Sequence, residues 1–170
     1  MRKCKIYKLA FVFILALFSL LACSNKEEEN SKTIEDISFD DLSSLEETTI
    51  GNNSDVINIV SELAAGQIEK QIELTSNSLK IEYDLAKYSE EKEEAANYWY
   101  KEENQERNVR FNSAILFSLI PNLETVDVLF ISEKDVSHTI NRQELSNELE
   151  IDFQSWNKDT FNSIKEKISE

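Results

Sequence analysis

The chain has 170 residues, with 18 Lys and Arg against 33 Asp and Glu and a formal net charge of −15. That length allows one domain, and so acidic a surface excludes a nucleic-acid binder, which needs a basic face to meet phosphates. Two cysteines, both within residues 1–23, leave none further on for a disulfide or a thiolate zinc site, and two glycines with one proline exclude a glycine-rich phosphate loop or a Pro-rich chain.

Residues 1–22 carry Arg2, Lys3, Lys5 and Lys8 and no acid, and Leu9–Ala22 is apolar apart from Ser19. A helix of that apolar length rises roughly 21 Å, short of a hydrocarbon core of ~30 Å, so the run is a poor permanent span and reads as a secretory leader. Its end, Leu20-Leu21-Ala22-Cys23, resembles the lipobox of bacterial lipoproteins. The resemblance implies cleavage before Cys23, whose sulfur then carries a diacylglycerol, with palmitate-type acyl chains holding the protein to the membrane. Two chains at about 0.8 kcal/mol per buried methylene make a stable anchor where one does not. The alternatives are an ordinary signal peptide with an incidental cysteine, or an uncleaved anchor. Cys4 falls on the cytoplasmic side and leaves with the leader.

Residues 23–50 read as the lipidated cysteine followed by an acidic, flexible tether. Ser24 to Thr33 contains no apolar residue, and Ser24 to Ile50 carries nine acids and two bases. Such a stretch buries too little surface to offset its ordering entropy. Ile34, Ile37, Phe39, Leu42 and Leu45 are too sparse for a core of their own, though they suit a weak amphipathic turn or a docking arm. The acids include no Asp-x-Asp-x-Asp-Gly loop, so Ca²⁺ binding there is a weak idea.

Residues 51–170 form the expected folded domain. Asn53 or Ser54 is placed to cap a helix carrying Val56, Ile57, Ile59, Val60 and Leu63, with Gly66 at its end. Ile72 and Leu74, then Leu79, Ile81 and Tyr83, alternate with polar residues around Ser76-Asn77-Ser78, the pattern of an antiparallel hairpin. Leu85–Asn104, with its Glu90–Glu94 charge run, is ambiguous. From about Gln105 to Leu119 the chain reads as a helix apolar on most sides, stopped before Pro121. Glu124–Ser132 is apolar on both faces and suits a central strand, with Val136, His138 and Ile140 as a shorter partner. Asn141 with Glu144 has capping-box character and opens a short helix. A last helix is expected to carry Phe153, Trp156, Phe161, Ile164 and Ile168. This order predicts an α+β fold, an antiparallel sheet of about four strands with helices packed on one face.

Several of these segments resemble a domain of unknown function from Gram-positive bacteria, family 4825. The resemblance rests on Ile50-Gly51-Asn52-Asn53-Ser54 before a helix, on Ile72-Glu73-Leu74-Thr75 and on Ile81-Glu82-Tyr83. It is closest over Asn112 to Ile120 with Asn122, Leu123 and Val126, and Thr139 to Leu145 is similar to a late Thr-Arg-x-x-Leu segment with Ile140 and Asn141 added before the Arg. It covers roughly residues 49–150 and its motifs are mostly core-like. The resemblance implies an extracytoplasmic envelope role, in lipoproteins or beside a beta-lactam-sensor-type metallopeptidase, and supplies no catalytic residues. Residues 85–104 are longer and more acidic than the usual connection in that family.

The single histidine, His138, stands alone, with no cysteine beyond residue 23 to complete a metal site, and reads first as a strand residue at the sheet margin. No Gly-x-Ser-x-Gly elbow is present, and with this many acids a carboxylate pair carries no information. An enzyme is not expected, and no cofactor or metal. Tyr98, Trp99 and Tyr100 are the candidate binding patch, because three adjacent aromatics cannot share one helix face; the plain alternative is that they cover the next helix. Trp156 reads as core, and Arg107, Arg110 and Arg142 as ion-pair partners rather than ligand clamps. The expectation is a monomeric, lipid-anchored, non-enzymatic envelope domain that binds a protein partner or envelope ligand in sensing or regulation. The alternative is a substrate-capturing or immunity-type lipoprotein binding a peptide or small molecule, with a hydrolase third. A concave pocket with convergent polar groups favours capture; a flat exposed patch around Trp99 favours a partner.

Overall fold

The computed structural model describes residues 30–46 and 48–169. The leader, Cys4 and Cys23 lie outside the described residues. Among the described residues no helix is long and apolar enough to cross a membrane.

The chain enters through a helical arm. A single 3-10 turn at Ile34–Asp36 is followed by α1 (Phe39–Leu42), in which Ser38 accepts a hydrogen bond from the Asp41 amide, and a second 3-10 turn at Ser43–Leu45. The expectation of a flexible tether as far as residue 50 is corrected here. Ile34, Ile37, Leu42 and Ile50 are buried in the same apolar cluster as the rest of the domain, so from Ser31 the chain docks as an arm. Few as they are, each apolar residue fully removed from water contributes about 1.5–3 kcal/mol. The Tyr88 hydroxyl accepts from the Ser31 amide at 2.9 Å, and Lys165 donates to the carbonyls of Glu35 and Ile37 at 3.2 Å each.

α2 (Asn53–Glu62) is capped by Asn52, one residue before the expected cap, and ends before Gly66. Gly66 lies in the turn that follows, where an added Cβ would press on the carbonyl oxygens of Ser61 and, at 2.7 Å, Leu63. β1 (Lys70–Leu74) and β2 (Ser78–Asp84) form the expected hairpin. The ambiguous stretch resolves into two short helices, α3 (Leu85–Glu91) and α4 (Glu93–Trp99), with Lys92 at their junction inside the charge run. α5 (Glu102–Leu119) starts three residues earlier than expected and stops before Pro121. β3 (Thr125–Ile131), β4 (Val136–Asn141) and α6 (Arg142–Leu149) follow, the last capped by Asn141 as expected.

α7 (Lys158–Ser169) is shorter than the periodicity suggests. Phe153 and Trp156 precede it in an irregular segment. There Asp152 accepts from the Gln154 amide and Asn157 from the amides of Asp159 and Thr160. These side chains offer the backbone a local alternative to helix, so the helix begins only after Asn157. Both aromatics remain inside the fold: Trp156 packs on Phe39 at 5.4 Å and Phe153 on Phe117 at 5.8 Å.

The fold is α+β, with a four-stranded sheet in the order β1-β2-β3-β4. It is not antiparallel throughout. β1–β2 and β3–β4 are antiparallel, but β2 and β3 run parallel, with Leu79 opposite Val126 and Tyr83 opposite Phe130. The physical reason lies in the connection: α3, α4 and α5 make a crossover long enough to return the chain to the start of β2. One face of the sheet presents Leu79, Ile81, Tyr83, Val126, Val128 and Phe130, all buried. On the other, Lys80 pairs with Glu82 at 2.7 Å and Thr139 donates to Asp127 at 2.6 Å.

Ile34→Ala should cost about 2–4 kcal/mol of unfolding free energy in urea titrations, because the arm is core. Ile57→Ala, at a side chain 45% exposed on α2, should stay within about 0.5 kcal/mol.

Candidate functional site

α5 is buried along most of its length, so its polar side chains need partners inside the protein. Asn104, Asn108 and Asn112 recur every four residues and form one stripe. Asn104 donates to the Tyr98 carbonyl at 2.9 Å. Asn108 accepts from the Ile34 amide at 3.2 Å and donates to the Tyr98 hydroxyl at 2.8 Å. Asn112 accepts from the Ala64 amide at 3.3 Å and donates to the Ala64 carbonyl at 2.8 Å. One helix thus holds α4, the arm and the turn after α2.

The other polar residues of the core-like motifs do similar work. Asn122 accepts from the Ile50 amide at 3.0 Å. Arg142 donates to the carbonyls of Leu123 (2.6 Å), Phe117 (2.5 Å) and Ile120 (2.8 Å), closing the C-terminal end of α5, with its guanidinium 5.1 Å from the Phe117 ring. Among the described residues it makes no ion pair: burial pulls its pKa down and its donors go to backbone. Arg107 and Arg110 do form ion pairs, with Glu35 at 3.2 Å and Glu148 at 2.7 Å. The hydrogen bond from Arg110 holds the Glu148 carboxyl below the usual range.

The three aromatics of the candidate patch separate. Trp99 is 1% exposed, stacked 6.1 Å from Phe130 on the covered face of the sheet. A flat exposed patch around Trp99 is therefore corrected: the residue is core. Tyr98 is half-buried, and its hydroxyl accepts from Asn108 and from Arg107. Tyr100, at the end of α4, is 46% exposed. Consecutive helical positions point about 100° apart, so the three rings take an inward, a lateral and an outward direction.

Tyr100 borders a cleft of about 690 Å³ between α3, the start of α5 and the β3–β4 turn. Its charged lining is Glu90, Glu102, Glu133 and Lys134, and Gln105 reaches it from α5. Gln105 is 2% exposed; its amide donates to the Trp99 carbonyl at 2.5 Å, which leaves Oε1 buried with no hydrogen-bond partner among the described residues. Among the described residues the Tyr83 hydroxyl and His138 Nε2 also find no partner, and both residues pack on Phe130. Burial pushes the Tyr83 hydroxyl well above its usual pKa.

His138 sits on the edge strand β4, facing the helices. Burial lowers its pKa against the raising effect of Glu106 and Glu102. Among the described residues no group of His, Cys, Asp and Glu is arranged to hold a metal. Sequence reasoning selected Tyr100 but missed the cleft, whose walls come from three segments distant in sequence. A glutamine on a buried helix was the one available signal.

Residues 42–143, more than half of the chain, match the family described as Domain of unknown function (DUF4825). No curated protein and no solved structure matches at a significant level.

Trp99→Ala should cost about 3–5 kcal/mol in chemical denaturation, whereas Tyr100→Ala should change stability by no more than about 0.5 kcal/mol. The folded-state pKa of His138 is depressed from its ordinary 6.5, so the unfolded chain binds its proton first and stability falls as pH drops below that value. His138→Gln should flatten the dependence of the urea midpoint on pH between about 7 and 5; an unchanged slope rules out this contribution.

Proposed function

The chain belongs to the DUF4825 family, and from that membership we propose a lipid-anchored binding domain on the extracytoplasmic face of the cell membrane. It holds a protein partner or envelope ligand in sensing or regulation, without chemistry of its own. The observation that carries the reading is Tyr100, an outward aromatic 46% exposed beside carboxylates that have no hydrogen bond or ion pair among the described residues. Tyrosine at such an edge offers a large contact area at low entropic cost.

The anchoring half of the proposal rests on the Leu20-Leu21-Ala22-Cys23 sequence and the basic leader before it. Charge agrees with it. From Gly51 onward there are 24 acids and 12 bases, so an anionic membrane repels the domain within a Debye length of about 8 Å and anchoring falls to lipid. The binding half is supported by how the motif polar residues are used. Asn112, Asn122 and Arg142 bond backbone groups, which is structural work and leaves recognition to the surface. Capture of a peptide or small molecule, the second reading, is favoured by the concavity beside Tyr100.

Metabolic labelling with an alkyne fatty acid should tag the wild type and not Cys23→Ala; an unlabelled wild type removes the anchor. A photo-crosslinking residue at position 100 should give a discrete adduct in cells, one that is missing when the probe sits at position 98, where the ring is held by Asn108 and Arg107. Equal adducts at both positions, or none, would count against the cleft.

A further inference from the structure

We propose that the docked arm turns a long tether into a short leash, so that the anchored domain faces the bilayer with the end where α3 meets α4 and is pinned within about 29 Å of it; this rests on reading Cys23 as the lipidated residue. The argument begins where the chain becomes fixed. The Ser31 amide donates to the Tyr88 hydroxyl at 2.9 Å. Lys32 is held at three points: its amide donates to Gln67 at 2.9 Å, its carbonyl accepts from the Ala65 amide at 3.0 Å, and its ammonium pairs with Glu62 at 2.7 Å. Eight peptide steps separate Cys23 from Ser31, and at full extension they span at most about 29 Å. A chain free as far as Ile50 would span roughly 95 Å.

The arm also fixes which side of the domain faces the bilayer. Asn108 accepts from the Ile34 amide and Asn122 from the Ile50 amide, so the chain enters near the beginning of α5 and runs toward its C-terminal end. Asn30 borders a small cavity with Glu91, Glu93 and Glu94, at the α3–α4 junction. Glu90, the neighbour of Glu91, lines the Tyr100 cleft. Entry point and cleft thus share the C-terminal end of α3, and the cleft opens at the membrane-facing end. α5 rises about 27 Å over its 18 residues, a length comparable to the leash, so its two ends differ measurably in distance from the membrane. Adhesion does not hold the near end down. Glu90, Glu91, Glu93 and Glu94 are all exposed, and anionic headgroups repel them within a Debye length of about 8 Å. The leash is the constraint.

The test uses the full-length lipidated protein in vesicles of phosphatidylcholine and phosphatidylglycerol carrying an acceptor dye on the headgroups. With Cys23 acylated and Cys4 gone with the leader, a single engineered cysteine is the sole free thiol for a donor dye. Glu102→Cys marks the cleft end of α5 and Glu124→Cys, also at an exposed residue, lies just past its other end. Energy transfer should be at least about twofold higher from position 102 than from position 124. A Gly/Ser spacer of about twenty residues between Asn30 and Ser31 should lower transfer from both positions and bring them closer to equal. Ile34→Asp combined with Ile37→Asp, which releases the arm, should have the same effect, and circular dichroism verifies that each variant folds. Equal transfer from the two positions, higher transfer from position 124, or indifference to the spacer overturns the proposal. Fatty-acid labelling of the same samples separates the two readings: an unlabelled wild type removes the anchor and the leash with it, whereas labelled protein with any of those three results removes the leash alone.

Discussion

The fold depends on one helix being surrounded. From Phe111 to Leu119 α5 is buried on every side, and burying the helix obliges its asparagines to find partners in other segments. The asparagine stripe meets that obligation with backbone groups of α4, the arm and the turn after α2. Arg142 meets it at the C-terminal end, where the last carbonyls of a helix have no partner of their own. These bonds do more than satisfy polar atoms. Because each joins a fixed side chain to a fixed backbone position, they set where the neighbouring segments lie. The arm is the clearest case: its few apolar residues supply burial, and Asn108 and Lys165 determine where it docks.

The same constraint separates structure from function in this molecule. Asn112, Asn122 and Arg142, polar residues of the segments on which the family resemblance was read, face inward and bond main chain. A site made of them would dismantle the core. What is left for recognition is the surface, and the surface is not uniform. The outer face of the sheet carries its own pairs, Lys80 with Glu82 and Thr139 with Asp127, whereas the Tyr100 cleft gathers exposed carboxylates that make no ion pair among the described residues.

Local patterns carried much of this. The first hairpin, the buried helix with its stop at Pro121, the central strand and the Asn141 cap were all legible, because each rests on interactions within a few residues. The failures share a cause as well. The helix cap at Asn52 and the irregular segment holding Phe153 and Trp156 turned on which nearby side chain reached the backbone first, a competition that periodicity does not record. The arm read as tether, with docking as the alternative, because its apolar residues are few, and few residues suffice when other segments bury them. Trp99 and Tyr100 are adjacent in sequence and opposite in role, a distinction that appears only when the sheet lies against one side of α4.

By itself the amino-acid sequence determined the acidic character, the α+β class and the buried helix, all of which follow from composition and short-range periodicity. Tertiary structure alone decided that β2 and β3 run parallel, that the arm is core, and that Glu90, Glu102, Gln105 and Glu133 meet around Tyr100. The reason is the same in each instance. These are contacts between segments separated by tens of residues, and their geometry is set by how the layers pack around α5 rather than by any local preference of the chain.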